Sequence, residues 1–157
     1  MTQTVRFGPR RAARMWRLLN MWPPLLFSGI RVVSWADDYT SVTIRLAKSR
    51  ITSNNFGTQY GGSLYSMTDP FFAIMLMQQI GPGYTVWDQR GEIEYVAPGR
   101  TAVTTEMTMP ADAVQSIVKA AASGEKVLRW FECDIVDADG VTVARVRKQL
   151  YIRRKRA

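Results

Sequence analysis

The sequence of 157 residues contains no histidine and a single cysteine, Cys133. Without histidine, neither a Ser-His-Asp nor a Cys-His mechanism can operate, and no imidazole can act as a general base. One cysteine excludes a disulfide framework within the chain, and the two shortages together exclude every zinc site built from Cys and His. The bases that remain are carboxylates or a perturbed lysine or tyrosine, and we expect neither a metal nor a cofactor.

The chain also lacks a long apolar run. No stretch approaches the roughly 20 apolar residues that span a bilayer. The leading segment is a poor signal peptide, because Pro23 and Pro24 interrupt its apolar stretch. We therefore expect a soluble, cytoplasmic protein, and an apolar content of 46% over this length suits one globular domain.

Acidic residues are absent before Asp37, although the whole chain carries a net charge of +8. The basic residues concentrate in residues 6–31 and 145–156. Such ends suit nucleic acid, anionic lipid or a phosphorylated ligand. No zinc finger, aromatic RNA-binding motif or recognition helix accompanies them, so nucleic acid is disfavoured as a partner. Contact with a membrane surface and a plain solvated surface both stay open.

Hydrophobic periodicity predicts an α+β protein. Residues 9–22 have the pattern of an amphipathic helix. We expect this helix and the residues around it, 1–27, to belong to the same folded unit as the rest of the chain. Residues 28–157 form the single main domain, with period-two alternation in three pairs of strands. An apolar helix over residues 61–80 follows the first pair, and a short helix follows the second. This order predicts an antiparallel sheet wrapped around one long central helix. The predicted strands cover residues 30–35, 41–47, 87–96, 101–109, 127–136 and 142–152.

Asp69 is the only charged residue within residues 51–87. An ionised carboxylate is costly to bury without partners, so Asp69 is either a helix cap or a reacting group. The Asp-Pro step favours a cap on a helix that begins at Pro70. A helix that begins at Gly61 and Gly62 and continues past Pro70 would instead hold Asp69 on an apolar surface, where its pKa rises. Composition and spacing leave both interpretations open.

The segment NNFGTQYGGSLYSMTDPFFAIM resembles PaaI-like hotdog-fold acyl-CoA thioesterases, in which an Asn, a Gly, a Gly-Gly pair and an Asp occur at this spacing. The segment EIEYVAPGR is similar to the family's strand ending in Tyr-x-x-Pro, and the resemblance covers roughly residues 30–152. It is closest to the uncharacterised branch that includes the C-terminal domain of YiiD-type proteins. The resemblance implies the hotdog fold and hydrolysis of an acyl thioester such as acyl-CoA. The alternative is a hotdog protein that binds acyl-CoA or a lipid-like ligand without turnover.

The resemblance also implies roles for four residues. Asp69 matches the family's general base or nucleophile, and Asn54 matches a loop residue that positions the thioester or water. Gly61 and Gly62 match the pair whose amides meet the thioester oxygen at a helix amino end. In the family, the glycine turn comes from one chain and the acid from another, which implies a homodimer or a dimer of dimers.

Four further residues are candidate substrate contacts. Tyr60 stands where many relatives have His, and tyrosine cannot shuttle a proton near neutral pH as imidazole does. Asp88, at the start of the predicted third strand, is either a polar helper or a solvated strand end. Tyr65 and Trp87 either line an acyl pocket or belong to the core.

Overall fold

The structure, a computed structural model, describes the backbone of residues 9–156 and the side chains of residues 14–156. The predicted order of elements is confirmed, with two changes: the predicted central helix is two helices, and Pro23 and Pro24 begin an additional short helix after they end the first. The elements in chain order are α1 (Pro9–Met21), α2 (Pro23–Phe27), β1 (Ile30–Trp35), β2 (Ser41–Leu46), α3 (Gly61–Ser66), α4 (Phe71–Ile80), β3 (Tyr84–Tyr95), β4 (Val103–Thr108), α5 (Ala111–Ala120), a 3-10 turn (Ala121–Ser123), β5 (Val127–Val136) and β6 (Thr142–Arg154).

The six strands form one antiparallel sheet in the order β1-β2-β4-β5-β6-β3. The predicted antiparallel sheet is thus confirmed, with β1 and β3 at its two edges. The edge strand β1 is covered by α1, where the Asn20 side chain accepts a hydrogen bond from the Val32 amide at 2.7 Å and donates one to the Val32 carbonyl at 3.1 Å. The Asn20 side chain thus provides hydrogen-bond partners for backbone groups at the edge of the sheet. None of the helices in the described residues is long and apolar enough to cross a membrane.

The sheet wraps around the central helix, as predicted. In α4 the side chains of Phe71, Phe72, Met75 and Leu76 are buried. The ring of Phe72 stacks on Phe131 of β5, with the ring centroids 5.3 Å apart. Because α4 is apolar on nearly all sides, it is stable only inside the curved sheet.

The central helix consists of two segments rather than one. Its first segment, α3, begins at the glycine pair as predicted, but residues 67–70 form a turn before α4 begins. The prediction that the helix continues past Pro70 is wrong, because proline has no amide to donate and its ring crowds the preceding turn. The Asp69-Pro70 peptide bond in this turn is cis. The break places Asp69 between the two segments.

Candidate active site

A buried lysine joins two of the predicted site residues. The Nζ atom of Lys148 lies 2.7 Å from Oδ1 of Asp69 and 3.1 Å from Oδ2 of Asp88. The Lys148 side chain is 2% exposed, whereas Asp69 is 49% exposed and Asp88 is 21% exposed. The cluster is therefore a buried cation between a mostly buried acid and an acid that solvent reaches.

Sequence reasoning missed Lys148, which it grouped with the basic carboxyl-terminal residues. Successive side chains of a strand point to opposite faces, and in β6 the inward positions around Lys148 are Val146 and Leu150, both buried. The sequence did contain a signal: in an alternating strand, Lys148 stands at a position where the pattern calls for an apolar residue. A lysine is rarely buried unless it is paired, so this position requires acidic partners from other elements.

Asp88 reaches the cluster through an irregularity in β3. The strand begins at Tyr84, three residues before its predicted start, so the interpretation of Asp88 as a solvated strand end is wrong. The register with β6 shifts between Asp88 and Arg90, which leaves Gln89 as an extra residue. Such bulges redirect side chains, and this one allows Asp88 to face Lys148 while Arg90 lies on the exposed face.

Tyr65 of α3 completes the cluster. Its ring centroid lies 4.4 Å from the Nζ atom of Lys148, which is the geometry of a cation–π contact. The Tyr65 hydroxyl lies against Gly91, the residue of β3 that pairs with Lys148. The residue predicted to line a pocket thus packs directly on the buried ammonium.

The electrostatics of the cluster differ for the two acids. Burial raises the pKa of Asp69, but the hydrogen bonds with Asp88 and Lys148, together with the charge of Lys148, outweigh burial and hold that pKa below its usual value. Burial and the hydrogen bond with Asp69 raise the pKa of Asp88 to about 6, against the opposing charge of Lys148. For Lys148, burial lowers the pKa, but the hydrogen bond to Asp69 and the charges of both acids raise it overall.

Two expectations for Asp69 are therefore corrected. The raised pKa that we predicted for it belongs to Asp88, because Asp88 is the more buried acid and its hydrogen bond with Asp69 favours the proton on Asp88; the Lys148 ammonium also lies closer to Asp69. The helix-cap interpretation is also wrong: Pro70 occupies the cap position of α4, and the helix end receives no side-chain hydrogen bond. The role of Asp69 as base or nucleophile stays a prediction.

The glycine pair begins α3, with Tyr60 in the cap position. The first amides of a helix have no partner within the helix, so those of Gly61 and Gly62 can serve a ligand. A β-carbon on Gly62 would lie 2.5 Å from the ring of Tyr60, and one on Gly61 would lie 2.9 Å from the hydroxyl of Tyr95. A side chain at either position would therefore have to displace a neighbouring tyrosine ring. Tyr60 itself is 57% exposed.

Asn54 organises the loop that precedes α3. Its Oδ1 atom accepts hydrogen bonds from the amides of Phe56 and Thr58, at 3.0 and 3.1 Å. Its Nδ2 atom donates to the Thr58 hydroxyl at 2.9 Å and to the Gln59 carbonyl at 3.3 Å. Both polar atoms of the side chain thus hold the loop that leads to the glycine pair, and a contact with a reactant would be additional to these bonds.

Trp87 lies apart from the cluster. Its ring stacks on Tyr151 of β6, with centroids 4.0 Å apart and planes 9° apart, and it is 46% exposed. Tyr151 and Lys148 are three residues apart in one strand and so face opposite sides of the sheet. A substrate contact by Trp87 would therefore be made on the outer face.

The structure brings together Asp69, Asp88 and Tyr65 around Lys148. Between the glycine pair and Asp69 of the same chain lie the rest of α3 and the first two residues of the turn that follows it. Within residues 14–156, no three His, Cys, Asp or Glu side chains are grouped as in a metal site.

Solved structures with the same architecture come from several bacteria. A Pseudomonas aeruginosa protein of unknown function, described as a probable thioesterase, superposes with a TM-score of 0.80 at 16% identity, over 95% of this chain and 97% of that one. A Haemophilus influenzae thioesterase gives 0.69 at 14% identity, over 98% and 96%. The E. coli PaaI protein, from a phenylacetic acid degradation operon, gives 0.63 at 16% identity, over 95% and 94%. At such identities the likeness shows the fold alone: this is a hotdog-fold protein, as predicted.

The family follows from the sequence. The chain belongs to DUF4442, a family described as a domain of unknown function, whose profile matches residues 10–152. No curated protein matches the chain in sequence. The predicted resemblance to an uncharacterised branch of the hotdog thioesterase superfamily is confirmed.

Proposed function

We propose that the chain is a thioesterase that hydrolyses acyl-CoA or a related acyl thioester. The observation that carries this proposal is the position of Asp69. It is a half-exposed carboxylate, kept ionised by a buried lysine, at the break in the central helix of a fold that named thioesterases share. A base must be both ionised and accessible to its substrate, and Asp69 meets both conditions.

In the proposed reaction, Asp69 takes a proton from water, and the water oxygen bonds to the thioester carbonyl carbon. The negative charge that develops on the carbonyl oxygen is stabilised by the amides of Gly61 and Gly62. When the carbonyl re-forms, the carbon–sulfur bond breaks, and the departing thiolate takes the proton from Asp69. In the variant in which the same acid is a nucleophile, Asp69 attacks the carbonyl carbon and the carbon–sulfur bond breaks to release the thiolate. Water then hydrolyses the resulting anhydride to the free acid and Asp69, and the thiolate takes up the proton that this hydrolysis releases.

The proposed site is assembled from two copies of the chain. Because the rest of α3 and part of the following turn separate the two parts within one chain, a glycine pair from a second copy would meet Asp69. The strand β3 supports such an assembly: it is twelve residues long, and within the described residues it pairs only with β6. Long open edges of this kind invite pairing with another chain.

The remaining predicted residues have supporting roles in this proposal. Asn54 holds the loop that presents the glycine pair, Tyr65 packs on Lys148, and Asp88 shares the proton of the cluster. Tyr60 and Trp87, both exposed, are proposed ligand contacts.

The second candidate function is binding of acyl-CoA or a lipid-like ligand without turnover. Two observations favour it. The carboxylate of Asp69 is held in an ion pair, which lowers its basicity, and Tyr60 replaces the histidine of many relatives.

A thiol-release assay over short, medium, long and aromatic acyl-CoAs separates the two candidates. The thioesterase proposal expects turnover of at least one substrate class and a loss of about 10²- to 10⁴-fold in Asp69→Asn. Asp37→Asn, in the exposed turn between β1 and β2, is the matched control and should retain turnover. Saturable acyl-CoA binding without thiol release from the wild type would favour the binding protein.

A further inference from the structure

The cluster contains a residue for which the proposed reaction has no step. Lys148 is 2% exposed, so it does not meet the substrate, yet it contacts both acids of the site. A buried lysine that only neutralised one charge would need one acidic partner. Lys148 has two, at 2.7 Å and 3.1 Å, and it therefore links the two acids of the site.

We propose that Lys148 is a positioning residue, which keeps Asp69 ionised, directs its carboxylate outward and leaves the shared proton on Asp88. This inference rests on the proposed function for its catalytic meaning. The arrangement itself is a property of the folded protein and can be tested without a substrate.

The contacts of Lys148 fix its direction. The ring of Tyr65 lies 4.4 Å from the ammonium, and carboxylate oxygens of Asp69 and Asp88 lie 2.7 and 3.1 Å from it. A short charge-assisted hydrogen bond from Lys148 binds Oδ1 of Asp69, while about half of the Asp69 side chain stays accessible to solvent.

The same contacts determine where the proton resides. Two carboxylates beside one ammonium would leave an uncompensated negative charge in a site that is partly buried, and such pairs hold a proton between them. Asp88 is the more buried acid, and its Oδ1 atom is buried without a hydrogen-bond partner in the described residues. An ionised Asp88 would leave a charged oxygen unsatisfied there, whereas a protonated Asp88 can donate a hydrogen bond to the Asp69 carboxylate.

Neighbouring titratable groups do not account for this arrangement. From β5, Cys133 packs near Lys148, but burial raises the pKa of its thiol to about 11, so it stays neutral. From α3, Tyr65 contributes its ring face. Arg90 and Arg147 lie on the outer face, where both pair with Glu92.

The test measures the titration of Asp69 directly, by carboxyl 13C NMR on the full chain. In the wild type, Asp69 should titrate at lower pH than Asp88. Lys148→Met should move the Asp69 midpoint to higher pH, because the charge and the hydrogen bond are lost together. Arg147→Met is the control: it removes a cation from the adjacent position of β6, on the exposed face, and should leave the Asp69 midpoint unchanged.

Activity supplies the second readout. If Asp69 is the base, the acid limb of the kcat/KM profile should move to higher pH in Lys148→Met, with turnover partly restored at high pH. An unmoved limb with lower turnover at every pH would mean a structural role only and would overturn the inference.

Two further outcomes are decisive. If Lys148→Met fails to fold, the wild-type titration still decides, because an Asp69 midpoint above that of Asp88 would overturn the inference. If the wild type hydrolyses no thioester but the midpoint moves as expected, the proposed function fails and the positioning of Asp69 by Lys148 stands.

Discussion

The hydroxyl of Tyr65 in α3 lies over Gly91 in β3, in the space that a β-carbon at position 91 would fill. Gly91 pairs with Lys148, so the Tyr65 ring can lie across this pair only if residue 91 has no side chain. A glycine in the middle of a strand weakens it, but here it permits a close approach. The absence of a side chain at Gly91 therefore leaves the space in which the Tyr65 ring packs against the buried ammonium.

Gly91→Ala should displace Tyr65 and destabilise the fold by about 1 to 3 kcal/mol, the usual cost of overpacking. The far end of a tyrosine can move, so we expect a folded protein in which the contact between the ring and Lys148 is loosened. Urea unfolding measures the loss. Gly83→Ala is the matched control, because a β-carbon there meets no atom within 4 Å. Equal stability of the two variants would contradict the tight packing of Tyr65.

The strands and the course of the chain could be predicted because they depend on local pattern. Alternation of apolar and polar residues located β1 and β5 at the residues where the structure has them. The glycine pair marked the start of α3 because glycine lets the chain turn into a helix. Such signals lie within a few residues of one another and require no knowledge of the tertiary fold.

The ion pair at the centre of the site could not be predicted in the same way. Asp69 and Lys148 are 79 residues apart in sequence, and only the packing of the helix break against β6 brings them together. The expected pKa shift of Asp69 is also reversed, since the hydrogen bond with Asp88 and the contact with Lys148 together outweigh the effect of burial. The position of Asp88 depends on a bulge in β3, which leaves no clear mark in the sequence.

The pKa of Asp88 should make stability fall as the pH rises from about 4 to about 7. The folded protein holds the Asp88 proton up to about pH 6, whereas the unfolded chain releases it near 3.8. The stabilisation from this group is complete below pH 3.8 and is lost as the pH rises through 6. Asp88→Asn mimics the neutral form of this acid. Over this pH range the free energy of unfolding of the variant should therefore fall by about 3 kcal/mol less than that of the wild type.

Urea unfolding at fixed pH values measures this difference. Asp37→Asn is the control and should follow the wild type at every pH. The lowered pKa of Asp69 acts in the opposite sense, but below pH 3.8 and so outside the range. Parallel curves for the wild type and Asp88→Asn would mean that Asp88 is ionised throughout.

The basic carboxyl terminus should contribute only weakly to ligand affinity. Arg153 donates a hydrogen bond to the Gly124 carbonyl at 2.9 Å, so part of the basic segment is already engaged with the fold. Lys155 and Arg156 are exposed. If these two attract a phosphorylated ligand, affinity for CoA should fall as salt rises from 0.05 to about 0.5 M, because the Debye length shortens severalfold. Calorimetry on the wild type and on a Lys155→Ala/Arg156→Ala variant measures this. We expect a shallow salt dependence that the variant changes little, whereas a steep dependence that the variant abolishes would contradict the prediction.

Mixing two inactive variants tests whether Asp69 and the glycine pair work across two chains. Asp69→Asn removes the acid, and Gly62→Val closes the space that the Tyr60 ring occupies, so each pure dimer should be inactive. In a mixed dimer, one of the two sites combines the intact acid of one chain with the intact glycine pair of the other. Random exchange makes half of the dimers mixed, so turnover should recover to about a quarter of the wild-type value.

The experiment requires that both variants fold and dimerise, which circular dichroism and light scattering establish beforehand. Exchange is promoted by brief exposure to denaturant and dilution, with each variant treated alone as the control. Recovery near a quarter requires a shared site, since a site built within one chain would be inactive in every mixed dimer. No recovery from dimers that have demonstrably exchanged would mean that Asp69 acts with groups of its own chain, such as Lys148 and Asp88.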